Sequence, residues 1–77
     1  VIRYDLSNIN AQRAVLQIYN LRGQLVKTLL DQHQQAGFHR AVWDGTNETG
    51  EPVASGVYIY RLSSGNFHST RKIVILK

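Results

Sequence analysis

Gly56-Val57-Tyr58-Ile59-Tyr60-Arg61-Leu62 is the stretch on which the fold turns. β-Branched and aromatic residues fill it almost without a break, which suits a pleated, part-buried strand. The loop Ser63-Ser64-Gly65-Asn66 follows, and residues 67–77 return from it, so the two runs predict a hairpin. Its second arm ends in Ile73-Val74-Ile75-Leu76, apolar at every position. Such a run is expected between two layers or at the centre of a sheet. Left exposed, it would be an aggregation hazard.

Working outward, short alternating runs recur, and no window sustains helical spacing with caps. Residues 1–6 set Ile2, Tyr4 and Leu6 against Arg3 and Asp5, and the Asn- and Ser-rich residues 7–12 read as a loop. In residues 14–19, Leu16 and Ile18 share one face and Gln17 takes the other. Asn20-Leu21-Arg22-Gly23 then forms a turn in which Gly23 can take a positive φ. Residues 25–30 return as the hairpin partner, with a helical turn as the rival at this one place. A Gln-rich connection fills residues 31–37, and residues 38–43 alternate again, with His39, Ala41 and Trp43 on one side. Residues 44–55 are turn-like, punctuated by Asp44-Gly45, Asn47-Glu48-Thr49-Gly50 and Pro52. The fold expected is all-β, an immunoglobulin-like β-sandwich of about seven antiparallel strands, forming one domain over residues 1–77. An OB-like or SH3-like barrel is the alternative at this size.

A chain of 77 residues buries only roughly 60% of the surface its unfolded form exposes. Its stability is expected at roughly 4–11 kcal/mol, too little to support a strained catalytic cavity as well. No stretch approaches the ~18 apolar residues of a membrane span. The net charge of +4 is scattered except where Arg71, Lys72 and Lys77 sit close together. With no cysteine there are no disulfides and no thiolate metal sites, which leaves the compartment open. The chain opens on Val1-Ile2-Arg3-Tyr4 without an initiator Met, as expected of a piece of a longer protein.

Chemistry-bearing residues are present but ungrouped. His33, His39 and His68 fall in separate segments without ligand spacing. Ser55, His39 and Asp44 could supply a triad by type, yet no Gly-x-Ser-x-Gly elbow or comparable signature accompanies them. No enzymatic activity and no cofactor are expected. Residues 44–51 cluster oxygen ligands of the kind calcium uses but miss the spacing of a calcium loop. Two consecutive turns are the preferred reading, with Asp44 capping its own backbone. Trp43, Tyr58 and Tyr60 could form a sugar-stacking platform, as in a carbohydrate-binding module, although a core this small needs them inside. Arg71-Lys72 beside Phe67 is thin support for nucleic-acid binding, because adjacent strand residues face opposite ways.

Taken in order, Ile2-Arg3-Tyr4-Asp5-Leu6, Ile18-Tyr19-Asn20-Leu21-Arg22-Gly23-Gln24, Gly37-Phe38-His39, Trp43-Asp44-Gly45, Gly50, Ser55-Gly56-Val57-Tyr58 and Arg71-Lys72-Ile73-Val74-Ile75-Leu76-Lys77 resemble one family. They are similar to the C-terminal sorting domain of the bacterial type IX secretion system. That resemblance implies a non-catalytic Ig-like domain, covalently part of a larger secreted or cell-surface protein. Its partner would be the outer-membrane export and attachment machinery. Recognition would fall on Arg71, Lys72, Ile73, Val74, Ile75, Leu76 and Lys77, with Gly56 and Tyr58 shaping the neighbouring strand. A terminal strand of this kind could add to the exposed sheet edge of a receptor. The Gly23 hairpin, Trp43-Asp44-Gly45, Gly50 and Gly56-x-Tyr58 also resemble the Ig-like domain of flagellar hook-capping proteins. That second likeness implies a structural spacer or an assembly module.

Overall fold

The alternating runs become strands. The computed structural model describes residues 2–5, 12–35, 37–65 and 67–76. Among them are β1 (Ile2–Asp5), β2 (Gln12–Tyr19), β3 (Leu25–Gln34), β4 (Phe38–Ala41), β5 (Gly56–Ser64) and β6 (Phe67–Ile75). The expected count of about seven comes to six among the described residues. Residues 44–55 form turns and one isolated bridge, Thr46 to Pro52, instead of a further strand. Every pairing is antiparallel, in a four-stranded sheet of order β3-β2-β5-β6 and a two-stranded sheet of β1 and β4. The helical rival for residues 25–30 gives way to β3. Of the segment expected as the first loop, residues 7–11 lie outside the described residues, and Gln12 already belongs to β2.

β3 runs through Gln34, into residues expected as a connection. These polar residues stay extended because β2 holds them: Asp31 pairs with Val15, and Arg13 grips its carboxylate through Nε and, at 2.7 Å, Nη2. Two register shifts leave Leu29 and Val26 of β3 without a partner on β2. Bulges of this kind twist a strand and free backbone groups. Glu48 meets backbone groups of Val26 and Thr28 on the outer edge. Its N–H donates to the Val26 carbonyl at 3.1 Å, and its carboxylate accepts from the Thr28 N–H. The start of one sheet edge, at Val26 and Thr28, is thereby covered, a common protection against strand addition. Glu48→Ala is expected to cost about 1 kcal/mol, equivalent to roughly 4–8 °C in Tm for a domain of this size. Thermal unfolding followed by circular dichroism checks this, and Glu48→Gln, which keeps an acceptor, should lose less.

The core lies on one face of the four-stranded sheet. Ala14, Leu16 and Ile18 alternate along β2 and are fully buried. Leu16 pairs with Leu62 and Ile18 with Tyr60 of β5, while Tyr58 pairs with Ile73 of β6. Ala41 at the end of β4 packs on this cluster, and Trp43 two residues later is buried within it. That places Ala41 and Trp43 on the same side, as the alternation predicts. Trp43 meets the Tyr58 ring edge-on, with centroids 5.3 Å apart and planes at 75°. Its indole N–H donates to the Thr46 carbonyl at 2.8 Å. The buried Ser64 hydroxyl is satisfied by the Arg13 carbonyl at 2.9 Å.

Candidate functional site: the terminal hairpin and the outer face of the sheet

β5 and β6 pair along their whole length, from Gly56 opposite Ile75 to Ser64 opposite Phe67. β6 is nevertheless an edge strand and not the central or layer-covered strand expected from Ile73-Val74-Ile75-Leu76. The apolar run divides between the faces: Ile73 and Ile75 pack on the core, whereas Val74 is 57% and Leu76 86% exposed. Four consecutive apolar residues say that both faces are apolar, but not which face is covered. Arg71, opposite Tyr60, and Lys72, opposite Ile59, are both exposed and point to opposite faces. Lys77 lies outside the described residues.

Tyr58 and Gly56 shape the partner strand. The Tyr58 hydroxyl donates to the Ala54 carbonyl at 2.7 Å. A strand-entry tyrosine bonded to backbone a few residues upstream is the tyrosine-corner arrangement of Ig-like domains. Gly56 opens β5 at φ +157°, a conformation that other residues rarely adopt. Trp43 and Tyr58 are buried and Tyr60 packs against the core, so these rings do not form the exposed row a sugar would stack on.

The polar groups of residues 44–53 are directed at their own chain. Asp44 Oδ1 accepts from the Thr46 N–H at 3.1 Å and hydroxyl at 2.6 Å. Asn47 Oδ1 accepts from the N–H groups of Thr49 and Glu51, each at 3.0 Å. Gly45 and Gly50 take φ +78° and +84°, as successive turns require. Among the described residues no three His, Cys, Asp or Glu side chains are grouped as metal ligands. His39 Nε2 lies 2.7 Å from the Gln35 carbonyl, and His68 Nδ1 lies 3.4 Å from Arg61 Nη2. The Thr46 hydroxyl, more than any other group, holds the Asp44 carboxyl below the usual range, and the Arg13 hydrogen bond does the same for Asp31. A carboxyl with a lowered folded pKa adds stability above its unfolded value of about 3.9. That stability is lost as pH falls through the folded value. Stability should therefore hold from neutral pH to about 5 and fall below about 4. Asp44→Asn and Asp31→Asn should each flatten the fall, as measured by urea unfolding across pH.

The turn at residues 20–24 uses the same bonds as the one at 47–51. Asn20 N donates to the Gln24 carbonyl and Gly23 N to the Asn20 carbonyl, both at 3.0 Å. Asn20 Oδ1 collects the N–H groups of Arg22 and Gln24 at 2.9 and 3.0 Å. In the second turn Asn47 N donates to the Glu51 carbonyl at 2.9 Å and Gly50 N to the Asn47 carbonyl at 3.0 Å. The family model of the FlgD Ig-like domain matches residues 2–66, a span that takes in both turns, Trp43 and all of β1 to β5.

The chain belongs to the FlgD Ig-like domain family. Of the two resemblances, the match supports the hook-capping likeness and lends nothing to the type IX sorting domain. Neither curated proteins nor solved structures give a match to the chain. The FlgD Ig-like match ends before β6. Both turns are expected from the sequence, and the pattern that makes them twins, Asn-x-x-Gly followed by Gln24 or Glu51, is the further signal legible there.

Proposed function

We propose that the chain is a non-catalytic, Ig-like assembly module of the hook-capping kind, carried as a rigid unit within a larger exported protein. The observation that carries this reading is the family match across residues 2–66. The direction of the polar side chains supports it, since Asp31, Asp44, Asn20, Asn47 and Glu48 brace strands and turns. The test is replacement of residues 2–76 within the parent protein by an unrelated Ig-like domain. Assembly of the parent should fail while its other parts still fold. Normal assembly after the replacement would reduce the module to a spacer.

A second reading, export and surface attachment through the type IX machinery, is favoured by one observation: β6 is an edge strand with outward Val74 and Leu76. A reporter fused to residues 1–77 should then be exported to the cell surface in a bacterium that has the system, and deletion of residues 73–77 should abolish this. Undiminished export after the deletion removes the reading.

A further inference from the structure

The face of the four-stranded sheet turned away from the core is polar over much of its length, as an antiparallel sheet usually is toward water, but apolar residues gather at one end of it. Register places Leu25, Tyr19, Ile59 and Lys72 in one row across β3, β2, β5 and β6. Val57 pairs with Val74 in a neighbouring row, and Gln17, Arg61 and Thr70 line up in another. Leu25 is 49% and Val74 57% exposed. Between these rows lies a shallow groove of about 350 Å³, lined by Tyr19, Gly23, Ile59, Arg61, His68 and Thr70.

Charge says what would fill it. All the acidic residues, Asp5, Asp31, Asp44, Glu48 and Glu51, precede Pro52, whereas Arg61, Arg71, Lys72 and Lys77 follow it. The net charge of +4 thus resides in the last third of the chain, on and around the β5–β6 hairpin. Asp31 shares the outer face but is engaged by Arg13. Among the described residues Arg61 and Lys72 form no ion pair, and the contact of the Arg61 guanidinium is His68 Nδ1 at 3.4 Å. Two cations without carboxylates beside an apolar floor complement a ligand that is both anionic and apolar. The same charges oppose a second copy, whose Arg61 and Lys72 would meet their own kind.

We propose that this outer face docks an extended acidic segment of a second protein, with carboxylates on Arg61 and Lys72 and an apolar side chain seated between Tyr19 and Ile59. The proposal deepens the reading as an assembly module, because it names the surface and the chemistry of the partner. The apolar part of the groove is Ile59 beside the Tyr19 ring, with no row of aromatic rings for sugars to stack on, which favours a peptide over an anionic polysaccharide.

The test titrates the 77-residue chain with a short fluorescent peptide in which glutamate and valine take turns at every second position with serine between them, so that both fall on one face of the extended segment, and with its glutamine-for-glutamate counterpart. Anisotropy reads affinity, and amide NMR shifts read location. The acidic peptide should bind saturably, weaken with salt, and shift Tyr19, Ile59, Arg61 and Thr70. The pair Arg61→Gln and Lys72→Gln should weaken it about tenfold or more. Arg71→Gln removes the same charge one residue away on the opposite face and should change affinity less than about twofold. Equal binding of the neutral peptide, equal loss in Arg71→Gln, a heparin fragment occupying these residues where the peptide does not, or self-association of the chain alone would each overturn the proposal. Should the double variant fail to fold, the peptide pair and the shift map on the unaltered chain still decide. Because the parent protein is absent from the assay, failure here is separate from failure of the assembly reading.

Discussion

Trp43→Ala is expected to bring the domain to the edge of unfolding, with a loss of roughly 3–5 kcal/mol. The total stability expected for 77 residues is only about 4–11 kcal/mol. The size of the effect follows from three roles held by one side chain. Trp43 follows β4, its ring meets Tyr58 of β5 edge-on at 5.3 Å, and its N–H pins the carbonyl of Thr46 at 2.8 Å. Removing it opens a cavity between the sheet and the segment after β4, and releases the turn loop whose Glu48 covers the edge of β3. Trp43→Phe keeps most of the ring volume and loses only the hydrogen bond and the fit, so it should recover a large part of the loss. Urea unfolding followed by far-ultraviolet circular dichroism measures both variants, since the indole is the chain's tryptophan fluorophore. A loss below about 1 kcal/mol in Trp43→Ala would mean that the ring does not seal the core.

Leu16→Ala carries the second large effect, roughly 2–5 kcal/mol. Leu16 is fully buried at the middle of β2, a central strand, and pairs with Leu30 on one side and Leu62 on the other. Its neighbours are held in paired strands on both sides and cannot collapse far into the space, so the cavity term adds to the lost burial. Val74→Ala is the matched control. It removes a similar apolar group from the same sheet, but from the outer face, where Val74 is 57% exposed. That change should stay within about 0.5 kcal/mol. Similar losses in the two variants would mean that both faces of the sheet are covered.

The parts of the fold legible in the sequence are those that rest on local chemistry. β5 could be read because Val57, Tyr58, Ile59 and Tyr60 favour a pleated chain wherever it lies. The burial of Trp43 and Tyr58 followed from how few bulky residues a core this thin can draw on. Asp44 and Gly50 announced their turns through side-chain acceptors and a positive φ. What stayed hidden depends on partners distant in sequence. β3 extends through polar residues because Arg13 reaches Asp31 across the strands, a contact that no window over residues 31–34 contains. The edge position of β6 is a matter of which strand does not pair, and an apolar run is silent on that. The resemblance to the sorting domain leaned on that same run. The family match rests instead on residues 2–66, where the turns, Trp43 and the β5 tyrosine lie.

Edge and face together define what this module can offer a partner. The β3 edge is covered by Glu48 at Val26 and Thr28, the inner face is filled around Leu16 and Leu62, and the outer face presents Tyr19, Ile59, Arg61 and Lys72. The outer surface and its free edge depend on the four-stranded sheet ending at β6. Residue-resolved amide hydrogen exchange tests that most directly. If β6 is an edge, amides along residues 67–75 should alternate, those directed at β5 exchanging slowly and those directed away exchanging fast, while β2 and β5 are protected throughout. Uniform slow exchange along β6, at the level of β2, would contradict the sheet order described here.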